Sequence, residues 1–253
     1  MRNSSKLLPL GVFAALTLAW HAAVVSSEQR LLPTPWEVVL GIAELAQRGL
    51  LIKYVVASLF RVTWGFAVAA LLAIPFGLFL GWYRRGEAAV NPFLQILRPI
   101  SPLAWIPISI LWFGVGDGAA IYLIFLASFL PLAVTAMNAG RNVLDVHLNA
   151  GRNFGLSQTQ LILRVLYPSV LPQLIVGLRI TLGIAWLVVV AAEMIAVNSG
   201  LGFLIVDARN AGNRYDLVVA GMLMIGLIGL LLDAGMRSLA NLKILRWGRA
   251  ASS

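Results

Sequence analysis

Residues 118–140 decide how the chain folds, and they read Gly-Ala-Ala-Ile-Tyr-Leu-Ile-Phe-Leu-Ala-Ser-Phe-Leu-Pro-Leu-Ala-Val-Thr-Ala-Met-Asn-Ala-Gly. None of these 23 residues carries a charge. A helix that crosses a membrane needs roughly 20 mostly apolar residues. Because buried helices of soluble proteins rarely run this far without a charge, the stretch predicts a helix surrounded by lipid.

Further uncharged runs indicate that this helix is one of several. They cover residues 62–83, 99–116 and 217–232. Of the 253 residues, 60% are hydrophobic and 11% are charged, whereas a soluble domain carries roughly 25% charged residues. We therefore predict an all-α membrane protein with a single transmembrane domain over residues 1–253. Its six spans are expected at 7–25, 54–82, 99–114, 119–138, 171–195 and 216–237.

The distribution of lysine and arginine orients these spans, because cytoplasmic loops are enriched in both residues. With the N-terminus inside, 13 of the 19 basic residues lie on the cytoplasmic side. The inside set is Arg2, Lys6, Arg84, Arg85, Arg98, Arg141, Arg152, Arg164, Arg179, Arg237, Lys243, Arg246 and Arg249. The outside set is Arg30, Arg48, Lys53, Arg61, Arg209 and Arg214. An even number of spans then places both termini in the cytoplasm.

The first 52 residues predict two helices before the core spans 54–237. The N-terminal helix, 7–25, follows a basic start, so a secretory signal cleaved near Ala23 is an alternative interpretation. Next, Thr34 is followed by proline and, three residues on, by Glu37, which together form a capping box. We expect a helix over 34–52 along the outer, periplasmic membrane surface.

The longest inside connection predicts a compact helical projection outside the bilayer. Gly155 supplies a left-handed cap that ends a first short helix. Ser157 caps a second helix, and Gln160, three residues later, completes another capping box. Pro168 and Pro172 are expected to mark the end of that second helix before the fifth span. Such a projection is suited to a cleft on another protein.

This segment, 141–168, resembles the cytoplasmic loop of bacterial ABC importer permeases. The family pattern is Glu-Ala-Ala, three residues, Gly, nine residues, Ile, one residue and Leu-Pro. It falls here on Asn149, Ala150, Gly151, Gly155, Val165, Tyr167 and Pro168. Ala150, Gly155 and Pro168 match, whereas Asn149 stands in place of the acid, which weakens any claim for a carboxylate contact there.

Other stretches resemble the nitrate, sulfonate, taurine and bicarbonate permeases within this family. They are Ser58–Val62 with Gly65, Arg98–Gly114, Gly177–Ile180, Ala191–Ala196 and Gly200–Phe203. The resemblance extends over nearly the whole chain.

The resemblance implies a type I importer fold in the bacterial inner membrane. It implies a homodimer, two cytoplasmic ATP-binding subunits that carry ATP and Mg²⁺, and an extracytoplasmic binding protein that delivers a small anion. The anion class would be an aliphatic sulfonate such as taurine, or nitrate or bicarbonate. The implied ATPase-docking residues are Asn149, Ala150, Gly151, Gly155, Ser157, Gln160 and Pro168.

Three ionisable residues, Arg61, Arg179 and Glu193, fall within or at the edge of apolar spans. Such residues are costly and are therefore functional hypotheses by default. Arg179 could extend to the cytoplasmic interface, and Arg61 could extend to the outer one. Alternatively, Arg61 pairs with Glu193, since the topology places both in the outer half. We hypothesise that Glu193 orients an arginine or backbone groups near an outer gate.

Pro107 should bend or interrupt the third span, and broken helices often line transport pathways. Serine hydroxyls in that span could bind an oxyanion, and the glycine-rich turn after Glu193 could line a cavity. A kink fixed by packing remains an alternative, as does core packing of Met194 and Phe203. The candidate pathway residues are Arg61, Ser101, Ser109, Glu193, Met194, Asn198 and Phe203.

The chain lacks the Gly-Lys pair of a phosphate-binding loop, so ATP must bind a partner and no cofactor is expected on this chain. Absence of cysteine and the presence of only two histidines argue against a metal site or an enzyme. The dispersed arginines do not form a nucleic-acid-binding face. The alternative function is an ion-coupled secondary transporter of a small anion, although neither a repeat nor several midplane acids are evident.

Overall fold

A computed structural model describes residues 4–27, 32–143 and 145–240, and every regular element in these ranges is helical. Five residues used to orient the chain, Arg2, Arg30, Lys243, Arg246 and Arg249, lie outside the described ranges. The helices are α1 (Ser4–Val25), α2 (Pro35–Gln47), α3 (Leu50–Trp82), α4 (Arg84–Leu97), α5 (Ile106–Phe113), α6 (Asp117–Arg141), α7 (Asp145–Asn153), α8 (Gln158–Leu161), α9 (Tyr167–Ala196), α10 (Leu201–Asn210) and α11 (Tyr215–Ala240).

Four described helices are long and apolar enough to cross a membrane: α3, α6, the continuous helix Gln158–Ala196 and Tyr215–Leu239 of α11. A fifth span results if α4 and residues 102–113 count as one bent span. The apolar part of α1, Gly11–Val25, is shorter. These helices agree with the second, fourth, fifth and sixth predicted spans.

A stripe of small residues brings α3 and α6 together. Gly65, Ala69, Ala73, Gly77 and Gly81 recur every fourth residue of α3, and all are buried. A Cβ at Gly77 or Gly81 would overlap the backbone of α6. Small residues allow the two helices to approach closely. In lipid the hydrophobic effect does not hold helices together, so this close van der Waals packing does.

The third predicted span, 99–114, is irregular as expected, but its irregular turn lies before Pro107 and not at it. A 3₁₀ turn at Pro102–Trp105 precedes α5, and Pro107 lies in the first turn of α5, where the lack of an amide proton is tolerated. Helix α4 lies before the break and meets this segment at 84°. Helix α4 was not predicted from the sequence, because two arginines and Glu87 are typical of a charged loop between spans.

The prolines after the projection do not end a helix, contrary to expectation. Residues 158–196 form one helix that continues through Pro168 and Pro172. A π-helical stretch, Ile162–Leu166, precedes Pro168, and the Tyr167 amide donates to Ile162, five residues back. In a regular α-helix the ring of Pro168 would clash with the carbonyl four residues earlier. The wider π-helical turn makes room for that ring.

Helix α2 is shorter than the surface helix predicted over 34–52. Both hydrogen bonds of the Thr34–Glu37 capping box are present, which confirms its start. Gly49 then adopts a left-handed conformation, with φ of +68°. Residues 50–52 consequently belong to the long helix α3 and not to α2.

Candidate functional site

The structure brings Arg61 of α3 and Glu193 of α9 together, although 131 residues separate them in sequence. Arg61 Nη1 lies 2.7 Å from Glu193 Oε1. Arg61 is 2% exposed and Glu193 is fully buried. This geometry confirms the ion-pair interpretation and excludes the alternative in which Arg61 extends to the outer interface.

Glu193 also fixes the chain that follows α9. Its Oε2 accepts from the Ser58 hydroxyl at 2.9 Å and from the Gly202 amide at 3.0 Å. The Ser58 oxygen in turn accepts from the Leu201 amide at 2.9 Å. These two amides belong to the first turn of α10, whose N–H groups have no partner within the helix. The carboxylate therefore caps α10 from inside the protein.

Arg61 completes the network on its other side. Its Nε donates to Asp117 Oδ1 at 2.8 Å, and its Nη1 donates to the Ser199 carbonyl at 2.7 Å. Asp117 begins α6, and its side chain is 58% exposed. One guanidinium thus joins α3 to the start of α6, to the end of α9 and to the turn after α9. All three nitrogens of the Arg61 guanidinium therefore bind protein groups and hold the side chain in place.

Gly200 makes this arrangement sterically feasible. Its φ is +107°, a conformation that side chains of L-residues rarely adopt. A Cβ at this position would also overlap the Glu193 carboxylate. We define residues Ser58, Arg61, Asp117, Glu193 and Ser199 as the outer network.

The remaining candidates from the 190–203 region do not enter the outer network. Met194 is 42% exposed. Asn198 is also exposed, in the turn that precedes Gly200. Phe203 is partly buried and packs edge-on against Tyr54, with ring centroids 6.2 Å apart.

The two serines near the broken third span serve local structure. The Ser109 hydroxyl is buried and donates to the Ile106 carbonyl at 2.8 Å. The Ser101 oxygen accepts from the Leu103 amide at 3.3 Å and caps the 3₁₀ turn. Ser101 is exposed. Neither serine contacts the outer network.

Roughly 30 Å from Arg61 along α3, at 1.5 Å per residue, the chain forms the expected projection. Gly155, with φ of +77°, ends the turn after α7. Ser157 and Gln160 form both capping-box hydrogen bonds at the start of α8. Leu161 is buried and packs on Gly151, where a Cβ would lie 2.6 Å from the leucine Cδ2. A glycine at 151 therefore closes α7 tightly onto α8.

Most candidate docking positions on this projection are exposed: Asn149, Ala150, Gly155, Ser157, Gln160 and Pro168. Phe154 was not singled out from the sequence, yet its side chain is 86% exposed at the tip. A large apolar side chain that is left in water is a common mark of a protein–protein contact. Its position one residue before the left-handed glycine was the available signal.

A second ion pair within the spans was also missed. Arg179 of α9 binds Asp233 of α11, with Nη2 3.1 Å from Oδ2. Asp233 also accepts from Arg237 Nε at 2.9 Å. The interpretation of Arg179 as an arginine that extends to the cytoplasmic interface did not include this carboxylate partner on α11. Asp233 interrupts its apolar span, which was the available signal.

Several helices long and apolar enough to cross a membrane, with a charged network between them, define a multi-pass membrane protein. The chain belongs to the family described as the binding-protein-dependent transport system inner membrane component, whose model matches residues 73–242. It is thus an importer permease of the ABC transporter class.

Named relatives and a solved structure agree with this assignment. The taurine transport system permease protein TauC of Escherichia coli is 35% identical over 241 residues, which cover 92% of this chain and 86% of TauC. The nitrate import permease protein NrtB of Synechocystis is 32% identical over 93% of this chain and 88% of its own length. The inward-facing MetNI methionine ABC transporter shares the fold, with a TM-score of 0.60 at 20% identity, covering 81% of this chain and 95% of that one.

Proposed function

We propose that two copies of this chain form the membrane pathway of an ATP-driven importer for a small anion. Each copy would contribute six spans, with both termini in the cytoplasm. The four long helices, the bent segment 84–113 and α1 supply enough helical length for this topology. The excess of basic residues on one side supports the orientation.

The observation that carries the proposal is the exposed projection formed by α7, Gly155 and α8. Its backbone is fixed by a left-handed glycine and a capping box, so it is preorganised for binding. We infer that it inserts into a cytoplasmic ATPase subunit. Phe154 would fill an apolar pocket there, and the exposed residues 149–160 would surround it.

The partner subunits would bind ATP and Mg²⁺, since this chain carries no phosphate-binding loop of its own. ATP-driven movement of the ATPase pair would pull on the projection. Because 158–196 is one continuous helix, such a displacement can reach Glu193 near its far end. The π-helical stretch at 162–166 would be the place where this continuous helix bends.

The outer network would act as one gate of the pathway. It joins α3, α6, α9 and the turn before α10 through a single guanidinium, so separation of these helices must break several charge-assisted hydrogen bonds together. Met194, Asn198 and Phe203 lie beside this junction and are proposed to face the pathway in the dimer. Ser101 retains an exposed hydroxyl and is proposed to contact the anion, whereas Ser109 is proposed to support the broken helix.

The substrate class is proposed from the relatives, whose names specify taurine and nitrate. Both carry an oxyanion group, since taurine has a sulfonate beside its ammonium group and nitrate is itself an oxyanion. An extracytoplasmic binding protein would select and deliver the anion, and α2, which has an exposed face, would receive it at the outer surface.

Transport in proteoliposomes tests this function. The permease, the ATPase and the binding protein are reconstituted together, and uptake of labelled taurine and nitrate is measured. The proposal expects uptake of one anion that requires both ATP and the binding protein and that persists with an uncoupler. Uptake without ATP that an uncoupler abolishes would support the ion-coupled transporter instead.

A further inference from the structure

A basic cavity lies where the projection meets the ends of α3 and α6. Its volume is about 490 Å³, and its principal lining residues are Trp82, Tyr83, Arg84, Arg85, Arg141 and Arg152. No carboxylate lines it among the residues that the structure describes. Cavities of this size hold small ligands, and this one has room for a phosphate-bearing headgroup.

The positive charge of the cavity is only partly neutralised. Glu87 binds Arg141, with Oε1 2.8 Å from Nη1. Arg84 and Arg85 have no hydrogen-bond or ion-pair partner within the described ranges. Two or more guanidinium groups therefore remain to bind an anion, which they do best when oxygens match their planar fork, as in phosphate.

The charge of Arg152 is not neutralised by a neighbouring carboxylate, because Asn149 replaces the acid of the family pattern. Arg152 Nη1 donates to the neutral Asn149 side chain at 3.3 Å. In the family pattern the position of Asn149 is acidic, so a carboxylate would neutralise this arginine. The amide leaves the cavity more positive in this chain.

The surroundings place the cavity at the level of lipid headgroups. Trp82 and Tyr83 line it, and both residue types are enriched where a membrane meets water. Beside it, the amphipathic helix α4 exposes Phe93 and Ile96, each 67% exposed. Exposed apolar side chains can contact acyl chains, and basic residues at the end of a helix lie where anionic headgroups attract them.

We propose that this cavity binds the phosphate of an anionic membrane lipid and that the bound lipid braces the projection against α3 and α6. The acyl chains extend along the apolar face of α4, and Arg84, Arg85 and Arg152 hold the phosphate. The inference rests on the proposed function only for the side of the membrane and for the consequence for coupling. Binding itself does not depend on it.

The test measures binding of a fluorescent short-chain phosphatidylglycerol to the full-length permease purified in detergent without its partners. Each basic residue near an anionic headgroup contributes about fivefold in affinity. The double variant Arg84→Gln/Arg85→Gln should thus bind about 25-fold more weakly, and Arg84→Lys/Arg85→Lys should bind within about threefold. Arg164→Gln, an exposed arginine outside the cavity, is the matched control and should bind within twofold. The phosphatidylcholine analogue should bind weakly to all variants.

Two further arms separate other occupants. Millimolar inorganic phosphate should leave the labelled lipid bound, and full displacement would assign the cavity to free phosphate and overturn the lipid proposal. Co-purification of the ATPase should be retained in the double glutamine variant. Loss of the ATPase with unchanged lipid affinity would assign the cavity to that partner and also overturn the proposal. Equal losses for Arg164→Gln and the cavity variant would do the same.

Discussion

Replacement of Glu193 by alanine tests the outer network, because this carboxylate accepts hydrogen bonds from Arg61, Ser58 and Gly202. Removal of one partner of a buried ion pair typically costs about 3–5 kcal/mol. Each neutral buried donor left without an acceptor adds about 1–3 kcal/mol. Arg61 keeps Asp117 and the Ser199 carbonyl, so both contributions should lie at the lower end of their ranges, which gives about 5 kcal/mol for the ion pair and the two donors together.

The expected loss corresponds to a decrease of roughly 10 °C in the melting temperature. Thermal unfolding of the purified full-length protein in detergent measures it. Glu193→Gln retains an acceptor oxygen and should lose about half as much. Met194→Ala is the matched control, because its side chain is exposed one residue away and it should melt within about 2 °C of the wild type.

A double-mutant cycle separates the ion pair from general damage. Arg61→Ala and Glu193→Ala should be non-additive, with a coupling free energy of about 2–3 kcal/mol. The outer network does not stabilise this end of the protein if the two losses in unfolding free energy are additive. The same follows if Glu193→Ala has the melting temperature of the wild type. The gate role proposed for the outer network would then fail as well.

Three other perturbations follow from the structure. Gly77→Val should cost about 3 kcal/mol or more, because a side chain there meets the backbone of α6, whereas Gly183→Val, with open space around it, should cost far less in the same melting assay. Phe154→Ala should leave the melting temperature unchanged but reduce co-purification of the ATPase about tenfold or more; unchanged retention would contradict the docking role. The hydrogen bond from Arg214 lowers the pKa of Glu44 below its usual value, so this contact is fully present above pH of about 4.5 and is lost as the pH falls further. Glu44→Gln should accordingly flatten the decrease in melting temperature between pH of about 5 and 3, and an identical pH profile would refute the linkage.

The sequence was most informative where local chemistry determines local structure. Uncharged runs predicted the long spans, and a left-handed glycine with a Ser157–Gln160 box predicted the turn of the projection. Both signals depend on adjacent residues alone. The Arg61–Glu193 pair could also be predicted from the sequence, because burial of two opposite charges in the same half of a membrane strongly favours their contact.

The errors arose where tertiary context overrides a local rule. Pro168 normally disfavours a helix, but the π-helical stretch before it accommodates the ring within a continuous span. Helix α4 was missed because charged residues are typical of loops, whereas here Glu87 binds Arg141 across to α6. The role of Asp117 depends on the approach of α6 to α3, which no local pattern encodes.

The central claim is that the projection α7–Gly155–α8 docks on an ATPase in the cytoplasm. The chain has no cysteine, so a single introduced cysteine reports on one position. Site-specific cross-linking from Ser157→Cys, in membranes that contain the assembled transporter, should yield an adduct with the ATPase subunit. Asn198→Cys, at the opposite end, should yield none. An absence of the Ser157 adduct, together with labelling of that cysteine by an impermeant reagent added outside intact cells, would contradict both the docking and the orientation.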